Sequence, residues 1–383
     1  MSTASARIVI VGGGLAGLVA AWRLQQRGVT DVVLFEARAH LGGRIQSIDG
    51  GGGTVDPARA ALDRFDLGPT WFWPSIQPGL DRLVDELGLE RFAQFDRGSM
   101  LVERSPHEAP LRMAGYASEP ASMRLVGGAG ALIAALMQRI RPGCVRAGHT
   151  VFRMHRADGS VELEVRGPGS KLTAWHADHV LLALPPRLAR HRIAVDPPLE
   201  PALARCWRDT PTWMAPHAKY VAVYDTPFWR EQGLSGAARS GHGPMVEIHD
   251  ASMPGSSAAL FGFLGVPASV RQGMADDVLR AHCRAQLGRL FGEQAARPRA
   301  DALKDWARDP LTATEEDQEA VAHHAAAPPT GARGGVWQGC LTGIGSEWSA
   351  PFAGYLAGAV DAAETGVRQV LQNVPGLTQA RTR

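Results

Sequence analysis

The first 36 residues predict an α/β fold, and three observations carry the prediction. Residues 8–11, IVIV, are apolar without alternation, which suits a parallel strand covered on both faces. A glycine-rich turn follows at once, and Leu15, Leu18, Val19 and Trp22 then recur at helical spacing, with Gly28 placed to end the helix. A second apolar run, 32–35, leads directly into Glu36. Strand, turn, helix and strand in this order open a Rossmann-type unit.

The turn itself predicts a ligand. Gly12, Gly14 and Gly17 fit the spacing G-x-G-x-x-G. The first glycine permits the tight turn, the second lets backbone approach a pyrophosphate, and the third packs helix against strand, while the helix N-terminus faces the anion. Glu36, nineteen residues past Gly17, is placed to accept hydrogen bonds from a ribose diol. These features leave NAD and FAD both open. The following stretch, EARAHLGGRI, adds Arg38, Gly42, Gly43 and Arg44, whose glycines and guanidinium groups fit further contacts along the extended diphosphate of FAD.

Bulk properties narrow the class. A chain of 383 residues has room for two domains or one large composite one. With 45% apolar and 20% charged residues and a net charge of +2, it reads as an ordinary globular protein without the basic footprint of a nucleic-acid partner. Cys144, Cys206, Cys283 and Cys340 are scattered and form no CxxC pair, which argues against a cysteine zinc site and a disulfide framework. The thirteen histidines show no ligand spacing beyond the adjacent His323–His324, read as surface loop, and no metal is expected. Without a basic leader, an uncharged stretch of 18 residues or an apolar tail, the expectation is a soluble, cytoplasmic protein with no membrane anchor.

The motif GGGLAGL followed by FEARAHLGGR resembles the N-terminal signature of the flavin-dependent amine oxidases, the monoamine and polyamine oxidase family. Further stretches resemble that family in order along the chain. They are FDLGPTW at 65–71, GHTVFRM at 148–154, VLLALPP at 180–186, KYVAVYDTPFWR at 219–230 and the closing GSEWSAPFAGYLAGAV at 345–360. The resemblance implies a Rossmann-type (GR2-like) FAD-binding domain and a discontinuous α+β substrate domain. The FAD-binding pieces would be 1–75, 125–200 and 335–383, and the substrate-binding pieces 76–124 and 201–334. Glycine and proline punctuation at 127–128, 197–201 and 328–335 agrees with such a division. The stretches LDRLVDELGL and ADDVLRAHCRAQLGRLFG read as amphipathic helices.

For the cofactor, the resemblance implies contacts from Gly12, Gly14, Ala16, Gly17, Glu36, Ala37, Arg38, Gly43 and Arg44. It adds Gly68, Pro69, Thr70 and Trp71 along the flavin ring, Val151 at the adenine, and Trp306. From the closing motif it implies Glu347 on the ribityl–phosphate side, Leu356 at the pyrimidine end, and Ala359, with Tyr355 facing the substrate. The implied chemistry is hydride transfer from a C–H next to nitrogen to flavin N5, then reoxidation by dioxygen with release of hydrogen peroxide. The partners are therefore a small-molecule substrate, an amine, and dioxygen.

Two departures from the family pattern stand out. Members with covalent flavin use a cysteine in the segment that here reads DWARDPLTATEED, which contains Trp306 but no cysteine, so the FAD is expected to be noncovalent. The same segment often supplies a second aromatic that sandwiches the amine with the closing-motif tyrosine. This sequence offers Thr314 or Glu315 there, and Trp71, Trp73, Trp337 and Trp348 are candidate substitutes. Two other readings remain open: a related flavoenzyme that dehydrogenates a C–C bond, and a flavin-binding partner protein without turnover.

One lysine stands apart. The chain uses 37 arginines and three lysines, Lys171, Lys219 and Lys304. Lys219 is read at the entrance of an apolar strand over 220–224. A site needing one compact donor whose pKa moves on burial would not accept the planar, permanently charged guanidinium. The family resemblance places Lys219 beneath flavin N5; the alternative is a surface lysine whose stem lies along apolar residues.

Overall fold

The computed structural model describes residues 2–56, 63–157, 159–319, 326–374 and 376–377. The chain forms two compact units, each gathered from separate stretches: 1–44, 132–213 and 321–383 in the first, and 45–131 and 214–320 in the second. His323–His324 lies outside the described residues.

The first unit is built on a five-stranded parallel sheet in the order Val145–Ala147, Val32–Glu36, Ile8–Val11, His179–Leu182, Leu341–Gly343. The expected first strand is its centre, and all four of its residues are buried, as the unalternating sequence requires. The helix Leu15–Gln26 follows with Leu15, Leu18, Val19 and Trp22 buried, and the chain leaves it through Gly28 at φ +80°. The closing helix Leu356–Asn373 packs beside it, tied by Arg23 to Glu364 at 2.8 Å. A second sheet, in which Thr150–Ala157 and Ser160–Arg166 are central neighbours, adds the strand that carries Val151.

The second unit is organised by a seven-stranded sheet in the order Ala300–Asp305, Ala218–Tyr224, Ala258–Leu264, Met245–Asp250, Leu234–Ser240, Ser99–Glu103, Leu111–Ala114. Ala218–Tyr224 is buried throughout, and its alternation separates two cores. Tyr220, Ala222 and Tyr224 join the core that includes Leu279, Cys283 and Leu287 of the helix Asp276–Phe291. Val221 and Val223 face the opposite core, with Phe65, Leu67 and Phe261. This period of two puts Lys219 on the Val221 face.

Residues 45–75, expected with the FAD-binding pieces, lie in the second compact unit. The reason is packing: after Ser47–Asp49 pairs with Arg64–Asp66, Ile48, Phe65 and Leu67 share one core with Val221, Val223 and Phe261. The other borders fall at 131, 213 and 320, where 124, 200 and 334 were expected. Among the described residues no helix is long and apolar enough to cross a membrane.

His179 shows how tightly the parallel sheet is closed. It is fully buried, with Nδ1 2.9 Å from Gly339 O and Nε2 2.9 Å from Thr342 Oγ1. A carbonyl only accepts, so Nδ1 carries a proton, and the neutral ring that burial favours takes the threonine hydroxyl at Nε2. Burial pushes its pKa down from 6.5 to about 4, with the Gly339 carbonyl opposing. Its stabilising effect is therefore complete above the unfolded value and lost as pH falls from 6.5 towards 4. Denaturant titrations of the holoprotein at pH 7 and pH 5 are expected to show about 2 kcal/mol more acid loss for wild type than for His179→Asn. Equal pH dependence in the two proteins would remove His179 from that account.

Candidate active site

In the first unit the glycine turn and the second strand converge. Gly12, at φ +111°, has no room for a side chain, because a Cβ there would stand 2.7 Å from Ala183 O. A Cβ on Gly17 would collide with Gly12 O. Gly14 differs: a Cβ there would meet only Gly42 O, at 3.9 Å, so packing within the protein does not demand glycine. Its smallness faces outward, towards whatever approaches the turn. Gly14 is also the N-cap of Leu15–Gln26, and neither a side-chain cap nor an acidic residue occupies that first turn. Backbone N–H groups and the helix dipole are thus presented to an anion.

Glu36 is buried, and both carboxylate oxygens are aimed by backbone: Oε2 accepts Gly13 N–H at 2.7 Å and Oε1 accepts Arg38 N–H at 2.8 Å. An ionised carboxylate has about four acceptor positions, so lone pairs remain for a diol. His149 N–H donates to Glu36 O and Gly148 N–H to Arg38 O, which brings the start of the Val151 strand against the same segment. Arg44 makes a two-pronged pair with Glu347 across 303 positions of sequence, at 2.5 and 3.1 Å, and its Nη2 also reaches Ser346 Oγ at 3.0 Å. The structure therefore assembles Gly12, Gly14, Ala16, Gly17, Glu36, Ala37, Arg38, Gly43, Arg44, Val151 and Glu347 within one unit. Tyr355 caps the closing helix at 39% exposure, followed by half-buried Leu356 and buried Ala359. This unsatisfied helix start, outward-facing glycine and oriented carboxylate fit the adenosine diphosphate half of FAD.

The second unit gathers the remaining candidates. Lys219 lies second in its strand and is 1% exposed, so the surface alternative does not hold. Its Nζ donates to Gly68 O at 3.1 Å and Thr70 Oγ1 at 2.5 Å, and stands 3.9 Å from the Phe261 ring centroid. Burial pulls its pKa down to about 7, against the charge of Asp66 and with that of Arg124. Asp66 is itself buried, its pKa pushed up by that burial, and it accepts hydrogen bonds from Ala129 N–H and Ser47 Oγ. Trp306, fully buried, donates from Nε1 to Leu67 O at 3.2 Å. Its turn is capped by Asp305, which Arg271 holds through two nitrogens. Lys219 and Trp306 thereby fasten the segment 67–70, including Pro69, to the edge of the sheet.

Cross-strand register extends this face in a row: Lys304, Lys219, Phe263, Glu247, Arg239. The row beside it holds Val221, Phe261 and His249. Trp71 covers both, 4.8 Å from the His249 ring, 5.3 Å from Phe261 and 6.3 Å from Phe263. Of the substitutes named for the missing aromatic, Trp337 and Trp348 are core residues of the first unit. Thr314 is buried in a capping box with Asp317, and Glu315 points to solvent. Asp66, Glu247, His249, Phe261 and Phe263 escaped the sequence reading. The alternation in MVEIHD marks Glu247 and His249 as sharing one strand face, but what that face meets depends on strand order.

Known proteins agree with this architecture. The family model described as flavin containing amine oxidoreductase matches residues 101–371, and that of an NAD(P)-binding Rossmann-like domain matches 10–87. The chain belongs to the flavin-containing amine oxidoreductase family. It is an FAD-dependent oxidoreductase, and membership favours amine oxidation over C–C dehydrogenation and over a partner without turnover. A Dictyostelium discoideum protein named "Probable flavin-containing monoamine oxidase A" is 23% identical over 78% of this chain and 83% of its own. Among solved structures, putrescine oxidase bound to putrescine superposes with a TM-score of 0.75 at 19% identity, over 97% of this chain and 100% of that one. Cyclohexylamine oxidase from Brevibacterium oxydans gives 0.77 at 19% identity, over 96% and 99%. These two show the shared fold.

FAD is held without a covalent bond. No cysteine falls within 305–317. Heat or acid precipitation is therefore expected to leave yellow FAD in the supernatant, and colour retained on the polypeptide would contradict this. Glu36→Ala is expected to weaken FAD binding by about 1.5–3 kcal/mol, the scale of lost charge-assisted hydrogen bonds, as read by titrating apoprotein with FAD.

Proposed function

We propose that the protein oxidises a small-molecule amine, transferring hydride from a C–H next to nitrogen to FAD and passing the electrons to dioxygen, with hydrogen peroxide as product. The observation that carries this reading is the buried, clamped Lys219 on a sheet face lined with aromatic rings, in a chain of this family. The first unit holds the adenosine diphosphate half of the cofactor. Helix N–H groups behind Gly12, Gly14, Ala16 and Gly17 meet the pyrophosphate, Glu36 meets the ribose, and Ala37, Arg38, Gly43 and Arg44 extend the contact, with Val151 at the adenine. Glu347 acts through Arg44, which it neutralises and orients.

Bound FAD supplies the two-electron chemistry; the chain supplies position and field. By the family resemblance, Gly68, Pro69, Thr70, Trp71 and Trp306 follow the flavin ring, Leu356 and Ala359 approach its far end, and Tyr355 faces the amine. Lys219 is an ammonium already fixed by two acceptors. Negative charge that develops as dioxygen is reduced meets a cation that need not reorganise. An arginine would spread its charge and overfill the space that Gly68 O, Thr70 Oγ1 and the Phe261 ring leave. The proteins of similar fold include a putrescine oxidase and a cyclohexylamine oxidase, so a panel of aliphatic mono- and diamines with peroxide detection is the direct test. A protein that reduces no oxygen with any of them contradicts the reading.

Lys219→Met is expected to keep FAD and still be reduced by substrate. Its reduced flavin is expected to reoxidise at least about tenfold more slowly, equivalent to about 1.4 kcal/mol on the barrier. The charge on Lys219 is present below its pKa of about 7 and lost above it. Stopped-flow mixing with oxygen is thus expected to show wild-type reoxidation slowing as pH rises through 7, and a flat profile in the variant. An unchanged rate in a well-folded variant would remove Lys219 from this step.

A further inference from the structure

The face that carries Lys219 also carries a carboxylate–imidazole pair. His249 and Glu247 are alternate residues of the strand Met245–Asp250, so both side chains point to the Trp71 side of the sheet. His249 Nε2 is 2.7 Å from Glu247 Oε1. The ring lies 5.4 Å from Phe261 at a 30° tilt, and Lys219 Nζ stands 3.9 Å from the centroid of the same Phe261 ring. The His249 side chain is 22% exposed, so it is walled by aromatic rings yet open to a ligand. Trp71, which packs on it edge-on, is fixed in turn: its Nε1 donates to Gln94 Oε1, and Gln94 Nε2 donates to Asp250 O of the same strand.

The pairing sets the tautomer. An ionised carboxylate has no proton to give, and the hydrogen bond from His249 holds the Glu247 pKa below its usual range. Nε2 therefore carries the proton, and in the neutral ring Nδ1 presents a lone pair. The charged groups facing the ring are Glu247, with Arg239 on it at 2.8 Å from the neighbouring strand, and Lys219 across Phe261. The segment above contributes Trp71 and Gln94, which are uncharged.

We propose that His249, oriented by Glu247, takes the proton from the ammonium group of the substrate amine. This rests on the amine-oxidising reading and adds a step which that reading leaves open. An aliphatic ammonium has a pKa near that of lysine, about 10.4, so only about one molecule in 2,500 is neutral at pH 7. Hydride leaves the α-carbon only when the nitrogen lone pair is available to form the C=N bond. In the proposed step an N–H bond of the ammonium breaks and a bond from that proton to Nδ1 forms. Glu247 balances the resulting imidazolium, and the proton passes on to water. The two electrons of the α-C–H bond go to FAD, so the substrate is oxidised to the iminium and the cofactor is reduced.

The test is anaerobic stopped-flow reduction of the holoprotein by an amine that turns over in the panel, from pH 5 to pH 9, in wild type, His249→Gln and Glu247→Gln. Wild type is expected to lose rate towards acid pH, because a protonated ring cannot accept a proton. His249→Gln is expected to keep its FAD, to reduce at least tenfold more slowly at pH 7, to follow the free-amine fraction upward through pH 9 where wild type levels off, and to recover rate when imidazole is added. Glu247→Gln removes the charge that favours imidazolium, so its acid limb is expected to move to lower pH. Unaltered rates and profiles in both variants, beside a wild type that the amine reduces, overturn the proton-acceptor role alone. A slow His249→Gln that imidazole does not rescue, with an unmoved limb in Glu247→Gln, also overturns it and leaves His249 as packing. A wild-type flavin that no amine reduces overturns the amine reading and this step together.

Discussion

A buried ammonium constrains everything around it. Lys219 sits in the second strand of a seven-stranded sheet with almost no exposure, and an unpaired charge there would be costly. Two acceptors, Gly68 O and Thr70 Oγ1, answer two of its three donors, and the Phe261 face lies against the head group. Each acceptor belongs to a segment without regular structure, so the lysine orders a loop as much as the loop satisfies the lysine. Trp306 pins the preceding carbonyl of the same loop, and Arg271 with Asp305 holds the turn of Trp306. The path from Arg271 to Thr70 is thus a chain of buried polar contacts in which each member is partnered.

The electrostatics of this region run in two directions. Burial disfavours both the Lys219 ammonium and the Asp66 carboxylate, while their opposite charges support one another. Arg124, also buried, donates to Ser252 O and Ala251 O and adds positive charge near both. The lysine is consequently held near the middle of its range, where a change in a neighbour's charge alters its protonation. On the same sheet face Glu247 and Arg239 form a second charged set nearer to solvent, with aromatic rings between the two sets. Rings that exclude water also keep each set's field strong at short range.

The first unit solves a different problem. Its glycine turn opens a helix without a side-chain cap, leaving backbone N–H groups for an anion. The Arg44–Glu347 pair joins the beginning of the chain to its closing motif, and His179 joins the central strands to the segment 339–342. Both are contacts between residues more than 150 positions apart. They hold together a unit that three separate stretches of chain compose.

The dinucleotide fold was legible from residues alone, because its signals are local. IVIV, the glycine spacing, the helical recurrence from Leu15 to Trp22 and the terminal Glu36 each act within a few residues and agree with one another. The exceptional use of lysine marked Lys219 for the same reason: composition is visible without a fold. What surrounds Lys219 was not legible. Phe261, Phe263, Glu247 and His249 come to it through strand order, in which the neighbour of Ala218–Tyr224 is a strand forty residues further on and the next lies before that one. The burial of Trp337 and Trp348, the capping role of Thr314 and the pairing of 47–49 with 64–66 likewise depend on which surfaces meet. Local periodicity determines which way a side chain points from its own strand; only long-range packing decides what it finds there.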